Sequence, residues 1–306
     1  MNPLVAIVGP TAVGKSRLAL QLAWEFHGEI IGADSRQVYR HMDIGTAKPS
    51  RQELSLVPHH LVDIINPNED FSLAQYQQLA YGAIGDIQRR DRLALLVGGS
   101  GLYVWSVLED WEIPKVPPDP ELRRSLEEKA YRNGLRQLYQ ELVAIDPEAA
   151  QKIDPRNVRR VIRALEVCKY SGVPFSSLQQ KKLPSFNALI IGLTASRPKL
   201  YNRIDLRVDR MIEQGLVEEV RKLADMGYDF NLPAMSGVGY KQIGMFLRGE
   251  MPLADAVQKI KFETHRIARH QYGWFRPKDD RIKWFDIKGE VESDIATLVA
   301  RFMSGE

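Results

Sequence analysis

An apolar run from Leu4 to Val8 passes into Gly9-Pro10-Thr11-Ala12-Val13-Gly14-Lys15-Ser16 and then into the apolar spacing of a helix. A strand, a glycine loop and a helix start in this order form a phosphate cradle. The two glycines let backbone N–H groups turn inward on an oligophosphate, Lys15 adds a point charge, and the Ser16 hydroxyl can hold Mg²⁺. The loop alone does not choose among nucleotide hydrolases, kinases and group-transfer enzymes that release diphosphate.

The cradle heads a series of alternating elements. Apolar runs at Leu4 to Val8, Glu29 to Ala33, Leu61 to Ile65 and Leu93 to Val97 alternate with helical patterns at Lys15 to Phe26 and Ser72 to Arg90. Such βαβ order predicts a mostly parallel sheet with helices on both faces. Pro114, Pro117, Pro118 and Pro120 then punctuate the chain, and helical periodicity runs from Glu121 to about Gln180. A strand at Asn187 to Leu193, helical stretches at Pro198 to Met226 and Pro252 to Phe275, and a strand at Ile282 to Phe285 return the chain to the sheet. The expected fold is therefore α/β, a P-loop-containing, mostly parallel sheet flanked by helices, with an all-helical insertion domain. Its expected parts are a catalytic core over residues 1–115 and 187–306 and an insertion over residues 116–186.

Composition excludes some classes. No apolar stretch approaches a membrane span, and Met1 runs directly into the first strand with no room for a signal peptide, so a cytoplasmic protein is expected. Cys168, the single cysteine, rules out an intrachain disulfide and a multi-cysteine zinc site. Charge is uneven: residues 1–115 carry 10 Lys+Arg against 13 Asp+Glu, residues 116–190 carry 13 against 9, and residues 236–288 carry 11 against 6. Basic excess in two separate segments fits a polyanion gripped from two sides, and equally fits solvated helix faces.

The site candidates follow from strand ends. Nucleoside triphosphate hydrolases of the common phosphate-loop type end a second strand in Asp to order Mg²⁺ and its waters. Here Leu93 to Val97 runs into Gly98-Gly99-Ser100-Gly101, and the carboxylate lies elsewhere, in Ala33-Asp34-Ser35. Asp34 closes the strand next in sequence to the loop, where open α/β sheets place ligands, and could ligate Mg²⁺, act as a general base or merely cap the next segment. Arg203, Arg207 and Arg210 share a helix face, either free to meet phosphate or paired with Asp205 or Asp209. His59 and His60 lack a third ligand and read as packing or hydrogen-bonding residues.

The cradle, Ala33-Asp34-Ser35-Arg36-Gln37-Val38-Tyr39, Met42-Asp43-Ile44-Gly45-Thr46-Ala47-Lys48-Pro49, Pro58-His59-His60, Leu96-Val97-Gly98-Gly99-Ser100-Gly101-Leu102-Tyr103, Arg163-Ala164-Leu165-Glu166-Val167 and Gly237-Val238-Gly239-Tyr240-Lys241-Gln242 together resemble the tRNA dimethylallyltransferases over nearly the whole chain. The resemblance implies transfer of a dimethylallyl group from dimethylallyl diphosphate to N6 of the adenosine 3′ of the anticodon. It implies that Gly9 to Ser16 hold the diphosphate with Mg²⁺ at Ser16, that Asp34 is the base, that Ser100 stands where the family often has Thr, and that Lys15, Arg207 and Arg203 clamp the leaving group. Contact with the anticodon stem-loop of tRNA is implied for Asp34, Ser35, Arg36, Gln37, Ser100 and Arg123, for Arg159, Arg160, Val161, Ile162 and Arg163, and for Ser236, Gly237, Val238, Gly239, Tyr240 and Lys241. Tyr240 and Lys241 offer stacking and charge. An adenine in a folded stem-loop must be unstacked to react, so extrusion into a channel lined by residues 34–37 is expected. A monomer with no membrane contact is expected. The alternatives are prenyl transfer to a free adenine nucleotide, a P-loop small-molecule kinase, and a non-catalytic RNA-binding switch.

Overall fold

Strand β1 (Pro3–Val8) buries Leu4 through Val8 completely, which explains its near-continuous apolar sequence: a parallel strand covered on both faces cannot alternate. The computed structural model describes residues 3–114, 116–178, 186–289 and 291–306. The chain divides into two units, one of residues 1–108 with 184–306 and one of residues 109–183.

In the first unit β1 is followed by α1 (Lys15–Glu25), β2 (Glu29–Ala33), α2 (Arg51–Leu56), β3 (His59–His60), α3 (Leu73–Arg89), β4 (Ala94–Gly98) and α4 (Gly101–Leu108). In the second come α5 (Pro120–Asn133), α6 (Leu135–Ile145), α7 (Pro147–Lys152) and α8 (Val158–Ser171). The first unit resumes with β5 (Asn187–Thr194), α9 (Arg197–Glu213), α10 (Leu216–Asp225), α11 (Tyr240–Leu247), α12 (Leu253–Trp274), β6 (Ile282–Asp286) and α13 (Glu292–Ser304). The sheet has the order β3-β2-β4-β1-β5-β6. Every pairing in it is parallel, with Ala6 opposite both Leu96 and Ile190. β1 lies between β4 and β5, at the place where the chain reverses its direction of winding, and open α/β sheets collect their ligands at the carboxyl end of such a strand.

Two sequence expectations need correction. Leu61 to Ile65 is not a strand: Leu61 and Asp63 take φ of 64° and 57°, left-handed values that no ladder accepts, and β3 is confined to His59–His60. Residues 63–65 instead donate their amides to Gln37 and Val38, bracing the segment after β2. The helical stretch from Pro198 to Met226 is two helices, because Gly215 at φ 98° ends one and opens the next.

The second unit is built from α5 to α8 around Leu138, Leu142, Val161, Ile162 and Leu165. Asp119, Asp146 and Asn157 cap α5, α7 and α8 by accepting backbone N–H bonds, which sets where each helix starts. Gln179 and Gln180, at the end of the expected helical stretch, lie outside the described residues.

Candidate active site

The glycine loop leaves β1 through Gly9 at φ 136°, where a Cβ would meet the Leu193 carbonyl oxygen of β5 at 2.4 Å, so no larger residue fits this turn. Gly14, at φ 114°, precedes α1 and offers no side-chain cap, and α1 has no acidic residue in its first turn. The first amides of the helix and its dipole therefore face the loop as an anion-seeking surface. Lys15 folds over the loop, its Nζ donating to the Gly9 and Pro10 carbonyls at 2.9 and 2.8 Å. The Ser16 hydroxyl lies in the exposed part of the same turn.

Two further cations reach the loop. The guanidinium of Arg203 on α9 lies 3.6 Å from where a Cβ on Gly14 would stand. Arg207, one turn on, shares the electrostatic field of Lys15 and Asp34. Asp205 and Asp209 do not neutralise these arginines. They turn to α12, Asp205 to His265 at 2.8 Å and Asp209 to Lys261 at 2.7 Å, so Arg203 and Arg207 have no carboxylate ion pair among the described residues. Burial lowers the pKa of Arg207, partly offset by Asp34, and burial with Arg17 lowers that of Arg203. Burial likewise pulls Lys15 from 10.5 to about 8, Asp34 opposing the shift and Arg207 adding to it. Three cations facing one carboxylate make an anion site that favours a polyvalent ligand.

A pH dependence follows. The free Lys15 ammonium loses its proton as pH rises through about 8, whereas a bound anion keeps it charged. Affinity for inorganic diphosphate is expected to fall about tenfold between pH 7 and pH 9 relative to Lys15→Arg, whose charge does not titrate in that range. Calorimetric titration of both proteins checks this; parallel behaviour would place Lys15 outside the site.

Opposite the loop, β2 and β4 bring Asp34 and Ser100 together. Gly98 pairs with Ala33, and a Cβ on Gly98 would stand 2.0 Å from the Ala33 oxygen, so glycine alone permits this approach. Ser100 donates its amide to that same oxygen at 3.2 Å, and its Oγ accepts the Ser35 amide at 3.1 Å. Asp34 Oδ1 accepts the Arg36 amide at 2.8 Å, which fixes the carboxylate and leaves Oδ2 without a backbone partner among the described residues. Gln37 donates its amide to the Thr46 and Ala47 carbonyls, leaving its oxygen as the acceptor.

Other implied contacts are placed differently. The Arg36 guanidinium is held by the Pro233 and Ala234 carbonyls and Ser236 Oγ, so it braces the turn before α11. Tyr240, expected to stack on a base, is 1% exposed. Its hydroxyl donates to Glu219 Oε1 at 2.6 Å and its ring packs on Gly45, so it is a core residue that cannot reach nucleic acid. Burial and Glu219 push that hydroxyl far above its ordinary pKa. Ser236 and Lys241 of the same segment are exposed. His59 and His60 hydrogen-bond the Val57 carbonyl and the buried Glu29, consistent with packing.

In the helical unit Arg159 and Arg160 are exposed, but Val161 and Ile162 are buried in its core and their side chains cannot meet a partner. Arg123 and Arg163 both bind the fully buried Glu166, Arg123 through two bonds of 2.8 Å. The sequence reading missed two residues. Glu219 of α10 accepts the amides of Asp43, Ile44 and Gly45, and Gln271 of α12 bridges Thr11 and Gly99. Neither carries a local signal, since each acts on a segment more than 170 residues away.

Residues 37–278 match the family model described as IPP transferase, and residues 2–63 match that described as isopentenyl transferase. A tRNA dimethylallyltransferase of Dehalococcoides mccartyi is 49% identical over 304 residues, covering 99% of this chain and 94% of the relative. One from a Roseiflexus species is 47% identical over 303 residues, 99% of each protein. Among solved structures, the full-length tRNA isopentenylpyrophosphate transferase of Bacillus halodurans has a TM-score of 0.74 at 41% identity, over 100% of this chain and 98% of that one. A eukaryotic dimethylallyltransferase acting on tRNA has a TM-score of 0.85 at 27% identity, over 100% of this chain and 80% of that one. With the glycine loop, the strand-end Asp34 and the glycine turn at Ser100 in one continuous match, the chain belongs to the tRNA dimethylallyltransferase family, the IPP transferases.

Proposed function

We propose that the protein prenylates tRNA, moving a dimethylallyl group from dimethylallyl diphosphate to N6 of the adenosine 3′ of the anticodon and releasing diphosphate. The observation that carries this reading is the gathering of Lys15, Arg203 and Arg207 at a glycine loop with Asp34 alongside, while β4 ends in Gly98-Gly99-Ser100. Hydrolysis of a nucleoside triphosphate by the common route wants a strand-end carboxylate to order metal and water. Departure of diphosphate from an allylic carbon wants only that the developing negative charge be met. The C–O bond breaks with its electron pair on the diphosphate, the N6 lone pair forms the new C–N bond, and the proton leaving N6 passes to Asp34 Oδ2. An exocyclic adenine amine is a weak nucleophile, and a base against its N–H offsets that weakness.

Mg²⁺ suits the donor set. No cluster of three carboxylate, histidine or cysteine ligands occurs among the described residues, so the ion would rest on Ser16 Oγ, the donor's own phosphate oxygens and water. Its contribution would be to neutralise the leaving diphosphate. The exposed Arg159, Arg160 and Lys241 suit tRNA phosphates, and the adenine must be unstacked to reach Asp34. Transfer to a free adenine nucleotide would leave these basic positions without a polyanion. In this reading the protein acts as a monomer. No helix among the described residues is long and apolar enough to cross a membrane.

Mass spectrometry of nucleosides from unmodified tRNA incubated with the protein, Mg²⁺ and dimethylallyl diphosphate tests the reading. N6-dimethylallyladenosine at the position 3′ of the anticodon is the expected product. Product from free adenosine monophosphate in place of tRNA would favour the nucleotide enzyme, and phosphate transfer from ATP with no prenylated base would favour a kinase.

A further inference from the structure

The last turn of α12 sits on the carboxyl ends of three strands. The Gln271 side chain accepts the Thr11 amide of the glycine loop at 2.7 Å through Oε1 and donates through Nε2 to the Gly99 carbonyl at 3.1 Å. Its neighbours fasten the same turn: Tyr272 hydrogen-bonds Thr194 at the end of β5, and the Trp274 carbonyl accepts the Trp105 indole N–H. The Trp274 ring lies so close to Gly101 that a Cβ there would stand 2.2 Å from it. Further back, Lys261 pairs with Asp209 of α9, the helix that carries Arg203 and Arg207, and His265 lies 2.8 Å from Asp205. One helix thus touches the glycine loop, the Ser100 turn and the arginine helix.

We propose that Gln271 is a positioning residue for prenyl transfer, a two-ended pin that sets the distance between the loop holding the diphosphate and the turn that carries Ser100 and backs Asp34. The proposal rests on the reading given under Proposed function. A primary amide suits the task because it offers an acceptor and a donor on one rigid plane, whereas the Thr11 amide and the Gly99 carbonyl need one of each. The pin also explains Gly99. A Cβ at that position would stand 2.2 Å from Gln271 Nε2, with its next contact outside that amide an ordinary 3.5 Å to the Gly9 oxygen. Gly99 is therefore glycine to admit the Gln271 amide. Reacting groups displaced by about 1 Å lose on the order of 10²-fold in rate, which is the effect expected when either end is released.

The test is a double-mutant cycle on the full-length protein, read by single-turnover prenylation at saturating donor and tRNA, by tRNA affinity, and by hydrogen exchange of the Thr11 amide. Gln271→Ala and Gly99→Ala are each expected to lower the single-turnover rate about 10²-fold, with tRNA affinity within about twofold of wild type. The double variant is expected to match Gln271→Ala, because removing the amide removes the clash. Gln271→Glu, which keeps the acceptor for Thr11 and loses the donor to Gly99, should fall between wild type and Gln271→Ala. The Thr11 amide should exchange at least about tenfold faster in Gln271→Ala with no substrate present, a result that a general loss of folding would spread over all of α1. Multiplying effects in the double variant, or an unchanged rate in Gln271→Ala and Gln271→Glu, would overturn the positioning role while leaving the reaction intact. A wild-type protein that forms no prenylated tRNA would overturn the reaction and the role together.

Discussion

Asp34→Asn is expected to lower the single-turnover rate of prenyl transfer by about 10²–10⁴-fold, the range over which a positioned general base acts. The substitution keeps size and keeps an oxygen for the Arg36 amide, which Oδ1 accepts at 2.8 Å, so the turn after β2 retains its shape. What it removes is the proton-accepting oxygen at the end of β2, together with the one negative charge that faces Lys15 and Arg207. The first loss acts on the step at N6, and only the second acts on the donor. A site left with cations alone binds diphosphate at least as tightly as before, so the donor KM should hold or fall while kcat collapses. A rise in donor KM with kcat unchanged would assign Asp34 to binding and discard it as the base. A rate within about tenfold of wild type would do the same.

Glu166→Ala should destabilise the helical unit by about 3 kcal/mol, the low end of the range for removing one member of a buried ion pair. Glu166 has no exposed surface and accepts from Arg123, from Arg163 and from the Asp119 amide that starts α5. Burial pushes its carboxyl up, but Arg123, the Asp119 amide and Arg163 outweigh that and hold it below the ordinary carboxylate value. The low end applies because Arg123 and Arg163 are 40% and 30% exposed and can turn to water. The sign with pH is fixed: a depressed carboxyl stabilises above its unfolded pKa and loses that contribution as pH falls through the folded one. Urea unfolding, with hydrogen exchange of α5 and α8 to assign the loss to this unit, measures the effect. A change below about 1 kcal/mol would mean that the two arginines are held by other groups.

The strands and the glycine loop were legible because their cause is local. Leu4 to Val8 and Leu93 to Val97 are apolar without alternation, as strands buried on both faces must be, and Gly9 and Gly14 announce the positive φ that the loop adopts. The stretch Leu61 to Ile65 has the same apolar look, yet the left-handed Leu61 and Asp63 interrupt it, and no glycine or asparagine flags them. Tyr240 beside Gly239 reads as a free aromatic until Glu219, 21 residues back, claims its hydroxyl and Gly45 receives its ring. Arginine spacing along α9 was visible in the sequence, but which charges stay unpaired was not: that depends on Lys261 pairing with Asp209 and on Asp205 facing His265 of α12. Gln271 gave no sign at all, since its two partners lie 260 and 172 residues back along the chain.

The pairing of β1 with β5 carries a consequence for how the chain is made. Val5 meets Leu189 in the finished sheet, so β1 waits for more than 180 further residues before its second neighbour exists. During that interval β4 and β2 can shield one side of β1, and the other side presents a bare row of amides and carbonyls to any extended chain nearby. The helices of residues 109–183, a unit made from one continuous stretch of chain, emerge inside this interval and can close on themselves first. Nascent molecules therefore pass through a stage with a finished helical bundle and an open sheet edge, the species on which chaperones act and from which misassembly starts.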